Sequence, residues 1–208
     1  MSFSGHALTC QRGGRLVFTG LDFAVGTGDA LLLTGANGSG KSSLLRMMAG
    51  LLTPAEGNLR LDGNPVTDDP DNWRASLAFV GHHDPVKPVM TVRENLGFWA
   101  SLAGSDRLDE ALAAFGLEDL ADTPGRFLSA GQRRRTNLAR LLVSRARVWL
   151  LDEPSTALDR HATSRLETVM AAHRAAGGMI VASSHIPLEL EQAARLTLGQ
   201  TRRPERAG

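Results

Sequence analysis

Gly35-Ala36-Asn37-Gly38-Ser39-Gly40-Lys41-Ser42-Ser43 fits G-x-x-x-x-G-K-[ST], the pattern of a phosphate-binding loop, and both flanks suit that reading. Ahead of it, Ala30-Leu31-Leu32-Leu33-Thr34 is a short apolar run that predicts a buried strand. Behind it, residues 42–50 predict a helix stopped by Gly50. Gly38 and Gly40 permit a tight turn whose N–H groups converge on one concavity, and the helix N-terminus adds partial positive charge. In that setting Lys41 would reach the β- and γ-phosphates and the Ser42 hydroxyl would sit on Mg²⁺. An ordinary glycine-rich turn has no need of strand, lysine and helix together. The chain is expected to bind a nucleotide.

The 208 residues, 42% hydrophobic and 22% charged, suffice for one α/β domain with a full core and a small inserted lobe. A net charge of +1 exerts no strong pull on nucleic acid. A single cysteine, Cys10, excludes an internal disulfide and reads as structural. No apolar run reaches membrane-spanning length and the first residues do not form a signal peptide, so a cytoplasmic protein is expected, able to dock on something that spans a membrane.

Residues 6–34 alternate apolar runs with turns, predicting strands at Leu16-Val17-Phe18 and from Leu21 to Val25 in a small antiparallel sheet over the nucleotide site. Residues 58–61 predict an exposed strand, 64–72 a surface loop, and 77–81 a buried strand. From 92 to about 121 the apolar period becomes helical, with Val92, Leu96, Trp99 and Leu102, then Leu108, Ala111, Leu112, Phe115 and Leu117, on helical faces, so a separate α-lobe is expected whose Trp and Phe residues form its core. Another helix follows Gly131. Arg133, Arg134 and Arg135 near its start read as a solvated or ion-paired face rather than a nucleic-acid contact. Strands alternating with helices call for a parallel sheet with functional loops at the C-terminal strand ends.

Val148-Trp149-Leu150-Leu151 leads into Asp152-Glu153, a strand that ends in two carboxylates. With a phosphate loop in the same chain, Asp152 is placed to organise Mg²⁺ and Glu153 to polarise the attacking water as general base. A helix is expected over about 160–176, closed by Gly177-Gly178, and residues 179–183 form a further strand with His185 at its end. Beyond 189 a short helix or strand gives way to residues 201–208, expected to be a disordered tail of a single domain spanning 1–200.

Leu128-Ser129-Ala130-Gly131-Gln132 resembles the signature motif of ATP-binding cassette (ABC) ATPases. The order of phosphate loop, signature, Asp-Glu pair, Ser155-Thr156-Ala157-Leu158-Asp159 and His185 is similar to that family from end to end. The resemblance implies an α/β fold of P-loop NTPase type, with a parallel core sheet, an N-terminal antiparallel β subdomain and a helical lobe inserted at about 83–138. It also implies a head-to-tail homodimer holding ATP and Mg²⁺ between one subunit's loop and the other's Ser129 and Gly131, with His185 contacting the γ-phosphate.

Within the family, Val80-Gly81-His82-His83, Met90-Thr91-Val92-Arg93-Glu94-Asn95-Leu96, Leu128 to Arg135, Trp149 to Pro154 and His185-Ile186-Pro187-Leu188 resemble the ATPase subunits of cytochrome c biogenesis exporters. That branch implies docking on integral membrane subunits at the cytoplasmic face of the inner membrane and hydrolysis coupled to heme export or heme release. Two departures stand out. His82 and His83 occupy the place where most cassettes carry a glutamine, and imidazole is a poor Mg²⁺ ligand beside oxygen. No tyrosine exists to stack on adenine, and Arg12 falls near that position, where a guanidinium can cover a ring. The alternatives are the ATPase of another small exporter, a soluble small-molecule kinase, which has no use for the signature, and a cassette acting on nucleic acid, a class that commonly carries two cassettes.

Overall fold

The computed structural model describes residues 1–185 and 188–199. The expected tail at 201–208 and the Ile186-Pro187 pair lie outside the described residues.

Two sheets carry the chain. Strands β1 (Ser2–Arg12), β2 (Arg15–Gly26), β4 (Glu56–Leu61) and β5 (Asn64–Pro65) form an antiparallel sheet in the order β2-β1-β4-β5. Strands β3 (Ala30–Thr34), β6 (Leu77–Val80), β7 (Val148–Asp152), β8 (Met179–Ser183) and β9 (Ala194–Thr197) form a parallel sheet in the order β6-β7-β8-β3-β9. Every residue of β7 and β8 is buried, which is why both read as unbroken apolar runs rather than as alternation. The two-residue period survives in where each side chain goes. Trp149, Leu151, Ile180 and Ala182 pack toward the helical lobe, whereas Val148, Leu150, Met179 and Val181 pack toward the antiparallel sheet and the first helix.

The helices are α1 (Lys41–Met48), α2 (Pro70–Ser76), α3 (Val92–Leu102), α4 (Leu108–Ala114), α5 (Ala130–Val143) and α6 (Arg160–Ala175). A capping box starts α3: the Thr91 hydroxyl accepts from the Glu94 N–H while the Glu94 carboxylate accepts from that of Thr91. Arg135 of α5 and Arg165 of α6 donate to carbonyls at the end of α4 and just past it (Ala113 to Gly116), satisfying groups a helix end leaves open. No helix among the described residues is long and apolar enough to cross a membrane.

Four expectations need correction. The runs at 16–18 and 21–25 belong to one long strand, β2, whose pairing with β1 absorbs several register shifts instead of a break. The loop expected over 64–72 starts in β5 and ends in a helix over 70–76: Asp69 caps the Asn72 N–H, Pro70 suits the first turn, and Trp73 is buried against Phe3. In the lobe, Phe115 is fully buried, but Phe98 stays 51% exposed and is not core. Arg134 is ion-paired, with Asp84 at 3.0 Å, but it is 2% exposed and so lies in the interior instead of on a surface face.

Candidate active site

The phosphate loop leaves β3 and enters α1 through three glycines with positive φ, Gly35, Gly38 and Gly40. A Cβ on Gly35 would collide with the Leu198 carbonyl oxygen just beyond β9, and one on Gly40 would meet Val17 at 2.7 Å. Both positions therefore require glycine for space as well as for backbone conformation. Lys41 is 6% exposed and its ammonium donates to the carbonyls of Gly35 at 2.8 Å and Ala36 at 3.1 Å, so it lies folded over the loop. The Ser39 hydroxyl in the same loop is buried without a hydrogen-bond partner. Ala36, Asn37 and Gly38 are exposed, while Ser43 is turned inward against Cys10. Burial pushes the Cys10 thiol above its ordinary pKa, with Arg12 and Ser43 opposing it, the state of an inert structural cysteine.

At the C-terminal ends of β7 and β8, Asp152 is aligned with Ser183. Asp152 Oδ1 accepts from Ser42 Oγ at 3.0 Å and from Ser183 Oγ at 2.8 Å, which joins the loop to the central strands. Glu153 follows with φ 49°, a left-handed conformation uncommon outside glycine. That turn lets its N–H reach Ser183 and sends its carboxylate to His185. The His185 N–H donates to Glu153 Oε2 at 3.0 Å, and His185 Nε2 lies 3.4 Å from Oε1. The pair placed at strand ends by sequence is thus one connected line: Ser42, Asp152, Glu153, His185. Hydroxyl and carboxylate oxygens suit a hard divalent cation. Ser42 and Asp152 supply two such oxygens 3.0 Å apart, which would hold Mg²⁺ together with phosphate and water oxygens.

The signature turn is built as a capping box. Ser129 Oγ accepts from the Gln132 N–H at 3.2 Å and Gln132 Oε1 accepts from that of Ser129 at 2.7 Å. Leu128 is buried as its anchor, Ser129 and Ala130 are exposed, and a Cβ at Gly131 would come within 2.9 Å of the Ala157 carbonyl. The turn is presented outward, with its helix N-terminus free to meet an anion. Arg12 is exposed at the β1 hairpin end, opposite Arg15, on the sheet whose Val17 and Phe18 border Gly40.

His82 and His83 are exposed, edge to face at 5.7 Å, and line an opening of about 810 Å³ between β6, the end of α1, and helices α3 and α5. Its walls include Phe79, Val80, Trp99 and Leu102; its charged lining residues are arginines, and no carboxylate faces it among the described residues. Sequence reasoning missed this opening and the burial of Arg134. The signals were a four-residue strand followed by two histidines, and an arginine in phase with Leu138 and Leu141 on α5.

Phosphate loop, carboxylate-ended strand, histidine and outward signature turn, on a parallel sheet beside an antiparallel one, define an ABC-type ATPase. The ABC transporter family profile matches residues 18–156. The chain is 53% identical to the cytochrome c biogenesis ATP-binding export protein CcmA of Paramagnetospirillum magneticum, over 96% of this chain and 94% of the relative. It is 54% identical to the protein of the same name from Rhodospirillum rubrum, over 94% and 85%. A solved structure described as an ATP-binding subunit of an ABC transporter superposes with a TM-score of 0.86 at 25% identity, over 95% of this chain and 86% of that one. The chain belongs to the ABC transporter family, among its cytochrome c biogenesis ATP-binding export proteins.

Proposed function

We propose that this chain is the ATP-hydrolysing subunit of a membrane complex for c-type cytochrome biogenesis, and that its turnover drives heme export or heme release. The observation that carries the reading is the unbroken line from Ser42 through Asp152 and Glu153 to His185. When ATP enters, Lys41 exchanges the Gly35 and Ala36 carbonyls for the β- and γ-phosphates, and the loop N–H groups hold the same oxygens. Mg²⁺, held by Ser42 and Asp152, would offset charge on those phosphates. Glu153 takes the proton of the attacking water, and His185 fixes the carboxylate and contacts the γ-phosphate. Arg12 covers the adenine.

A second copy supplies Ser129 and Gly131 to the same γ-phosphate, with Leu128, Ala130 and Gln132 setting the turn, so the working unit is a homodimer with two shared ATP sites. The opening beside His82 and His83 receives a cytoplasmic segment of the membrane subunit. Its apolar walls and arginine lining favour an amphipathic helix bearing acidic residues. The protein then works as a peripheral subunit on the cytoplasmic face of the inner membrane.

Affinity purification from native membranes tests this reading. Integral membrane subunits should co-purify, and MgATP turnover should rise in their presence. A protein recovered without any membrane subunit, or one that phosphorylates a small molecule in place of hydrolysing ATP, would overturn it.

A further inference from the structure

Arg134 lies on α5 less than one turn before Asn137, which borders the opening, and its guanidinium is fully committed. Nε donates to the Pro154 carbonyl at 3.1 Å, one terminal nitrogen to the Gly81 carbonyl at 2.8 Å and Asp84 Oδ1 at 3.0 Å, and the other to the carbonyls of Asp152 at 3.1 Å and Glu153 at 2.7 Å. Five N–H donors meet five acceptors. Four are main-chain oxygens from two separate segments, the exit of β6 and the turn that carries the general base. The fifth, Asp84, also accepts from Asn137 Nδ2 at 2.8 Å; Asn137 Oδ1 accepts from Arg140 at 2.8 Å, and the Arg140 guanidinium lies 3.8 Å over the Trp99 ring. Trp99, Arg140, Asn137 and Gly81 all line the opening.

We propose that Arg134 is a positioning residue for hydrolysis. Through Asp84 and Asn137 it couples whatever occupies the opening to the backbone that sets the Glu153 carboxylate. Glu153 sits at φ 49°, a conformation that holds only while its surroundings impose it. The two Arg134 bonds to the Asp152 and Glu153 carbonyls are part of that constraint. A displacement of the loop at 81–84 shifts Asp84 and Gly81, and the guanidinium plane, having no spare donor, passes the shift to Glu153. Neither lysine, with three donors and no plane, nor glutamine, with two, can hold both segments. The proposal rests on the ATPase reading above and adds a link which that reading does not need.

The test is steady-state ATPase kinetics of the full chain, comparing Arg134→Lys, Asp84→Ala and the double variant, with thermal unfolding as the control for folding. Asp84 has 20% side-chain exposure, so its substitution spares the core if Arg134→Lys does not. Each single variant should lower kcat about tenfold with KM for MgATP within about threefold, since nucleotide contacts are untouched. The double variant should lose no more than the worse single one, because both break one link. Unchanged kcat in Asp84→Ala, an equal rise in KM, or additive losses would each overturn the proposal. Absence of turnover in the unmodified protein would remove the ATPase reading and this one with it, whereas normal turnover in both variants removes this one alone.

Discussion

Ser42 Oγ donates to Asp152 Oδ1 across 3.0 Å, joining the first residue after the phosphate-loop lysine to the last residue of a strand more than a hundred positions later. The two oxygens are held together before any nucleotide arrives. This costs little on binding, because both partners are already ordered by α1 and β7. Substituting Asp152→Asn keeps the shape and removes the charge. Hydrolysis should fall by at least about a hundredfold while nucleotide binding without Mg²⁺ changes little, as read by titration with and without EDTA.

Lys41→Ala removes the ammonium now resting on Gly35 and Ala36. A charge-assisted hydrogen bond contributes about 1.5–3 kcal/mol, so the ATP dissociation constant should rise by roughly tenfold to a hundredfold. Isothermal titration calorimetry reads this directly, and near-normal affinity would contradict the site.

Glu153→Gln retains the hydrogen bond from the His185 N–H and loses the base. ATP binding should persist, turnover should drop by roughly a hundred- to ten-thousandfold, and a dimer should appear in gel filtration with MgATP. A hydrolysis-dead variant that stays monomeric in MgATP and with its membrane subunits would remove the shared site.

His173 stacks on Trp149 at 3.7 Å with rings 7° from parallel, and its Nε2 is buried without a partner. Burial is the main cause that pushes its pKa down to about 4, against an ordinary 6.5. The unfolded chain takes up this proton near 6.5 and the folded chain only near 4. The associated stability is therefore complete above 6.5 and is lost as pH falls toward 4. In urea titrations across that window, His173→Phe should keep the stack and show a shallower fall in midpoint than the parent. Gly178→Ala should destabilise by about 1–3 kcal/mol, because a Cβ there drives into the same imidazole.

Much of the site was legible because its determinants are local. The loop, the apolar run before Asp152 and the Leu128–Gln132 turn each depend on neighbours within a few residues. Arg134 was not legible, because the acceptors that bury it come from residues 81, 84 and 152–154, which only the tertiary fold brings together. The helix at 70–76 is a different case: its Asp-Pro start was present in the sequence, and three aspartates and two prolines around it read as loop. Phe98 and Phe115 share one lobe yet differ in burial, since the apolar period alone does not tell which flank of α3 the other helices cover.

The loop at 35–43 is walled by the carbonyl of Leu198 and by Gly199, whose Cβ would come 3.3 Å from Ser39. On the ribosome, a chain that has already made its glycines and lysine still lacks this wall until residue 199 has emerged. At about 5–20 residues per second that interval is roughly ten to thirty seconds. A nascent cassette should therefore gain ATP affinity only once Leu198 and Gly199 have emerged and closed over Gly35 and Ser39.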